Sequence, residues 1–470
     1  MEVVRPPVGR LPDTEERDLP APVPFRRMLG PGVILAGLSI GSGELVLWPR
    51  LTAEHGFVLF WGAWIGVTLQ YFMNMEIERY TLATGESAVT GFVRLARPLG
   101  PIFLVCGTVP WIWPGWATGA GELLAWQIGG SPTAYAIAGL IACGILLTLG
   151  PVVYRTVETV QTVLVLGIFA LLLVLAVLLV RFSDVGALLG GALQIGRIPD
   201  GMELPLFLGA LAFAGAGGSV NLAQSNYIRD KGYGMGAYIG RITSPFSGRE
   251  EAQSEIGLRF RGSAENLARW RVWWRRANLE HLVTFQLLCV GSLALFCLLT
   301  HALLAPGAPL SPDFGFLRDQ ADALRLRFGG AARLAFLWAS IFVLLSTEFA
   351  LLDAVSRVVA DLARVSFLRD SARFTIGRLY FLFLWAFIAF GVAVLGLGLS
   401  SPLTLLVLSA SLNAGVMFLY SGLLIWLNLR TFRGPLRPSL LRIAMLLGAF
   451  AFYGYFSALT IVSQLARLFA

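Results

Sequence analysis

The sequence predicts an all-α protein that crosses a membrane about eleven times. Three observations lead there. Of its 470 residues, 56% are hydrophobic and only 14% are charged, against about 25% charged in soluble domains. The apolar residues fall in runs of about 20, the length that spans a bilayer as a helix. The basic residues fall between those runs, mostly in every second gap, as loops on the cytoplasmic side require. A net charge of +8 therefore speaks for membrane topology and not for nucleic-acid binding. The length fits one polytopic domain.

Taken in order, the expected spans cover about 29–53, 56–78, 99–125, 133–150, 155–181, 203–228, 279–303, 331–357, 375–397, 403–429 and 441–467. Residues 1–28 are polar and Pro-rich and read as a cytoplasmic tail, without the apolar core of a signal peptide. Arg79, Arg94 and Arg97 follow the second span, and Arg364, Arg369 and Arg373 the eighth. Arg430, Arg433 and Arg437 follow the tenth. The long loop 229–278 after the sixth is richer still, with Arg229, Lys231, Arg241 and Arg249 among its cations. Links such as Gly129-Gly130-Ser131-Pro132 carry no charge. The loop with Arg318, Arg325 and Arg327 breaks the pattern, offset in part by Asp313, Asp319 and Asp322. The expected orientation has the N-terminus in the cytoplasm and the C-terminus outside. Trp270, Trp273 and Trp274 alternate with Arg late in loop 229–278, which predicts an amphipathic helix at the membrane interface. A regulatory or partner-binding role is the other reading of that segment.

Two spans are interrupted. The first contains Gly37-Leu38-Ser39-Ile40-Gly41-Ser42-Gly43-Glu44 and the sixth Gly215-Ala216-Gly217-Gly218-Ser219-Val220-Asn221. Irregular backbone at bilayer depth persists only where protein buries it or where it lines a cavity. Matched interruptions in two halves of a chain point to a central binding site. Glu44 adds a carboxylate. As a mere helix cap it would gain about 0.3–1 kcal/mol, against an insertion cost of about 2.5–3.5 kcal/mol at mid-membrane. The balance favours a binding or coupling role for Glu44.

The candidate site comprises Gly41, Ser42, Glu44, Gly215, Ser219, Asn221 and Gln224, with Asn226 beside them. Carboxylate, carbonyl and hydroxyl oxygens suit a hard divalent cation of the Mg²⁺, Mn²⁺ or Ca²⁺ class, partly hydrated. Glu44 and Glu122, on the first and third spans, are the candidates for proton coupling. Glu158 reads as an interface anchor, Asp353 as a partner of Arg357 at i+4, and Asn413 as a bond between helices or a cavity residue. Cys106, Cys143, Cys289 and Cys297 read as buried free thiols. Trp111, Trp113 and Trp116 lie near the middle of the third span, and aromatic faces attract organic cations. They support a rival reading, a symporter of an amine or amino-acid-like solute. A membrane sensor or scaffold would not require the interruptions, and no nucleophile–base pair suggests an enzyme.

Several motifs resemble the Nramp family of metal transporters. They are Gly30-Pro31-Gly32 opening the first span, Ala83-Thr84-Gly85-Glu86-Ser87 after the second and Ala117-Thr118-Gly119-Ala120-Gly121-Glu122 in the third. Arg155-Thr156-Val157-Glu158 and Ser346-Thr347 follow in the expected order. The resemblance covers about 30–430 and implies a LeuT-type fold of the APC superfamily: two five-helix inverted repeats, about 29–181 and 203–430, with helices 1 and 6 broken. An extra helix, 441–467, would complete a transmembrane domain 29–470. The resemblance also implies alternating access with divalent metal and protons. The family's Asp-Pro-Gly-Asn is replaced here by Gly41-Ser42-Gly43-Glu44, and its Met-Pro-His by Gly218, Ser219 and Val220, followed by Asn221. Its third-helix Asp is Gly119. The scaffold carries over and the metal ligands do not. No cofactor is expected.

Overall fold

Proline, glycine and serine punctuate the apolar runs and set where each helix starts. The computed structural model describes residues 3–7, 9, 11–150, 152–244, 246, 253–307 and 309–468. Helix α1, Pro31–His55, opens with Pro31 at its first turn after Gly30, where a missing N–H costs nothing. Helix α2, Phe60–Thr84, ends on Gly85 in the left-handed conformation. A short helix α3, Ala88–Leu95, follows, capped by Ser87. The third expected span is divided at its prolines into α4, Leu99–Thr108, a 3-10 turn Val109–Trp111, and α5, Gly115–Ile128. Helix α6, Pro132–Leu149, starts on a Ser-Pro pair whose hydroxyl accepts the Ala134 N–H. Helix α7 covers Val153–Leu179 and α8 covers Phe182–Ala192.

The second half begins with α9, Leu204–Ala212, and α10, Gln224–Lys231. A turn and a 3-10 segment, Gly218–Ala223, separate them. The apolar seventh span extends back through the Trp-rich segment as one helix, α11, Ala264–Leu303. Then come α12, Gly315–Phe328, α13, Gly330–Leu368, α14, Ile376–Gly396, α15, Pro402–Thr431, and α16, Leu440–Leu468. Among the described residues, eight helices are long and apolar enough to cross a membrane by length and composition. The other expected spans correspond to α2, to α4 with α5, and to α9 with α10.

Burial sorts these helices. Most of α1 is buried. In contrast, α7 exposes Val163, Leu166 and Val177, as a lipid-facing helix does when its surroundings are as apolar as its side chains.

One end of the bundle gathers the arginines. There the tail is not a loose leader. Val4 bridges Phe432, Arg5 N–H donates to the Thr431 carbonyl (2.9 Å), and Glu15–Glu16 form strand β1, parallel to β2, Leu258–Arg259. Arg94 donates to the carbonyls of Pro7 (3.2 Å) and Pro12 (2.9 Å). Arg269 and Trp273 donate to the carbonyls of Leu19 (2.7 Å) and Pro20 (2.9 Å). This corrects the interfacial role expected for the tryptophans. Trp270 and Trp273 are buried, and Trp274 stacks between Arg79 (4.1 Å) and Arg442 (4.8 Å). Their rings fasten protein to protein, not protein to lipid.

Candidate binding site between the interrupted helices

The two interruptions take different forms. In α1 the helix stays continuous but widens into a π-helical stretch, Ile40–Leu47. Such a stretch shifts the register of hydrogen bonding and often marks a functional site. In the sixth span the helix stops. Gly217 and Gly218 there have φ of 78° and 56°, which favours residues without a Cβ.

The glycines let the segments touch. A Cβ on Gly43 would overlap the Phe213 carbonyl, and one on Gly41 would overlap the Thr347 hydroxyl of α13. A Cβ on Gly218 would overlap the Asn413 amide of α15. The π stretch thus lies directly against the break, with α13 behind it.

Gln70 of α2 braces the break. Its amide donates to the Ala212 carbonyl (2.9 Å) and accepts from Gly217 N–H (3.1 Å) and Asn221 Nδ2 (3.3 Å). Asn221 also donates to Tyr420 (2.9 Å). Ser219 receives the Trp111 indole N–H (2.7 Å) and gives its own N–H to Asn413 (3.4 Å). These bonds satisfy backbone that would otherwise be orphaned in an apolar medium.

Glu44 is fully buried. Ser39 Oγ lies 2.7 Å from Glu44 Oε1 and 3.3 Å from the Ala214 carbonyl, so one hydroxyl joins the carboxyl to the break. The Cys289 thiol and the Ser292 hydroxyl of α11 lie beside the same carboxyl. Ser292 gives its hydrogen to the Leu288 carbonyl (2.7 Å). Glu44 Oε2 is left without a hydrogen-bond partner among the described residues. An unpaired carboxylate oxygen in such a place is costly and asks for an explanation.

The expected site is therefore only partly assembled. Gly43 and Glu44 meet the break, Gly41 packs on Thr347 of α13, and Ser219 and Asn221 are spent in bracing the break. Gly215 packs on Gln70 and Phe285. Gln224 turns away and donates to Glu78 (3.0 Å), and Asn226 binds Asp361 (2.8 Å). Ser42's side chain lies outside the described residues. Glu122 is half-buried near Asp313, whose carboxylate caps α15 through Leu403 N–H (2.8 Å). It is not brought to Glu44.

Sequence reasoning missed Ser39, Gln70, Cys289 and Ser292. Gln70 carried a signal, being an amide in the middle of an apolar span. Cys289 and Ser292 also share one helix face at i, i+3. Ser39, Cys289 and Ser292 are the groups that surround the Glu44 carboxyl.

Aromatic rings fill the space beside the break. Trp111, Trp116 and Phe213 stack on one another at 5.7–5.9 Å between centroids. Toward the arginine-rich end, ion pairs join α10 to α13. Arg357 bonds Asp230 (2.5 Å) and, as its i+4 spacing predicts, Asp353 (2.9 Å); Arg229 bonds Asp361 (2.7 Å). Glu158 pairs with Lys231 instead of anchoring at the interface. At the other end Phe314 covers Gly119.

This is the LeuT-type fold, in a multi-pass membrane protein. The chain is similar to a manganese transporter from Eremococcus coleocola. Against two variants of that protein the TM-score is 0.72, with 15% identity over 97% of this chain and 91% of that one. Against the same transporter in complex with an aromatic bis-isothiourea substituted compound the TM-score is 0.67, with the same identity and coverage. The resemblance drawn from the sequence motifs is borne out at the level of the fold. No family model matches the sequence, and no curated protein sequence matches it.

Proposed function

We propose that the protein is a secondary transporter that moves a divalent metal cation by alternating access. One observation carries the reading: a fully buried carboxylate, Glu44, with an unpartnered oxygen, set against a broken helix. A cation offsets the cost of that charge where capping does not. The fold agrees, since proteins that share it include a manganese transporter. The buried ion pairs that join α10 to α13 suit a cycle in which the arginine-rich end closes and opens.

Glu44 binds the ion and, when the site is empty, holds a proton in its place. Glu122 would then serve as a relay near the end opposite the arginines. The arginine-rich end is cytoplasmic. A cysteine replacing Gln253 in a chain without native cysteines should resist labelling from outside sealed cells, and efficient labelling there would reverse the orientation.

The test is uptake into proteoliposomes of Mn²⁺, Mg²⁺ and Cd²⁺, beside amines and amino acids, with and without a pH gradient. Divalent uptake that Glu44→Gln removes supports the reading. A second reading, transport of an organic amine, rests on the Trp111, Trp116 and Phe213 stack, and saturable amine uptake without metal uptake would establish it instead.

A further inference from the structure

The sulfur beside Glu44 bears on which metal is carried. Cys289 is fully buried on α11, two residues past the π-helical stretch Leu282–Leu287 in that helix's middle. A buried thiol by itself is ordinary core packing. Here it has company that core packing does not require. Its neighbours are the Glu44 carboxyl and the Ser39 hydroxyl. The carboxyl carries an unpartnered oxygen, and Ser292, one turn further along α11, has already given its hydrogen to Leu288, so its lone pairs remain available. Ser39 in turn reaches the Ala214 carbonyl of the break, 3.3 Å away.

We propose that Cys289 and Glu44 are joint ligands of the transported ion, in a mixed sulfur–oxygen site between α1 and α11 that favours a thiophilic divalent metal such as Cd²⁺ or Zn²⁺ over Mg²⁺ and Ca²⁺. The inference rests on the transport reading above and deepens it by naming the substrate class. Thiolate selects softer metals, whereas a carboxylate–carbonyl–water shell does not. The expectation of a hard cation followed from an all-oxygen set, and the structure adds the sulfur that set lacked.

Among the described residues no group of three or more His, Cys, Asp or Glu side chains is placed to hold a metal. Glu44 and Cys289 are two. The hydroxyls of Ser39 and Ser292, the Ala214 carbonyl and water would complete the shell. A shell completed by weak ligands suits cargo better than a permanent structural ion, since a transported ion must also leave.

The experiment titrates the purified full-length protein with Cd²⁺ and follows the ultraviolet charge-transfer band of a cadmium–thiolate bond. Three proteins are compared: the wild type, Cys289→Ser, and a triple variant with Cys106, Cys143 and Cys297 replaced by Ala. The band should appear in the wild type and the triple variant and vanish in Cys289→Ser. Cadmium affinity should fall at least about ten-fold, since even groups behind the ligands are commonly worth 10–100-fold. Mn²⁺ uptake should survive in the triple variant, whose replaced cysteines are not among the ligands, and fall in Cys289→Ser. If that variant fails to fold, Cd²⁺ protection of Cys289 from maleimide in the triple variant reads the same contact. Equal Cd²⁺ binding by Cys289→Ser, or no protection in the triple variant, overturns the proposal. Mn²⁺ or Mg²⁺ transport without any cadmium–thiolate band leaves the transport reading standing and removes the thiol from it. A wild type that neither binds nor carries any divalent cation overturns both.

Discussion

Replacing Asp230 by Asn tests whether the buried ion pairs hold the arginine-rich end shut. Asp230 bonds Arg357 at 2.5 Å, with side chains 4% and 0% exposed. Removing one partner of a buried pair costs about 3–5 kcal/mol, because the other charge is stranded. Arg357 is not wholly stranded, since Asp353 still holds its Nε at 2.9 Å and Tyr380 supports Asp353 at 2.8 Å. The lower figure, about 3 kcal/mol, is then appropriate. The pair joins α10 to α13, so it exists only while those helices are together at this end. Its loss should shift the closed-to-open balance by about a hundred-fold, a decade for each 1.4 kcal/mol. The assay is the rate at which a cysteine replacing buried Ser225 is alkylated from the arginine-rich side, in a chain free of native cysteines. The rate should rise steeply in Asp230→Asn, and a triple variant, Arg357→Met with Asp230→Asn and Asp353→Asn, should recover part of the closure because no member of the Asp230–Arg357–Asp353 cluster is then left charged. An unchanged rate in a well-folded Asp230→Asn protein would refute the reasoning and make the pairs static supports.

Other outcomes follow from the same geometry. Gly43→Ala puts a methyl into the Phe213 carbonyl; backbone cannot yield as a side chain can, so a cost of about 1–3 kcal/mol and loss of transport are expected, read by thermal stability and uptake. Gln70→Leu removes the brace from Ala212, Gly217 and Asn221, strands buried polar groups at about 1–3 kcal/mol each, and should lower thermal stability while Glu44→Gln leaves it nearly unchanged. Trp273→Ala releases the Pro20 carbonyl and should expose the tail to limited proteolysis before any other segment, with the membrane helices intact by circular dichroism.

Most of the fold was legible because the bilayer imposes a simple code. Length, apolarity and arginine placement sufficed for the spans, and the glycine runs at Gly41–Gly43 and Gly215–Gly218 located both interruptions. Their forms were not legible. Whether glycines widen a helix, as in α1, or stop it, as before Gly218, depends on what packs against them, here the Phe213 carbonyl and Asn413. The site was half legible for a related reason. Glu44 declared itself by its cost. Cys289 and Ser292 did not, because in an apolar helix they look like any small core residues until α11 is turned to face α1. Gln224 misled because adjacency in sequence was read as adjacency in space, whereas one helical turn carries it to Glu78. The tail was the largest surprise. Nothing in a Pro-rich polar segment says that it will bond to residues hundreds of positions away.

That tail has a consequence for how the molecule is made. Val4 and Arg5 are fixed by Thr431 and Phe432, which are synthesised long after them. The partners of Leu19 and Pro20 on α11 arrive midway. Closing so long a loop adds little entropy beyond that of a shorter one, but it cannot happen early. A nascent chain must therefore carry the Val4–Arg5 segment unfastened until Phe432 has been made. The last fastening thus depends on a late helix: a chain truncated before Thr431 would leave the Val4–Arg5 segment without these partners.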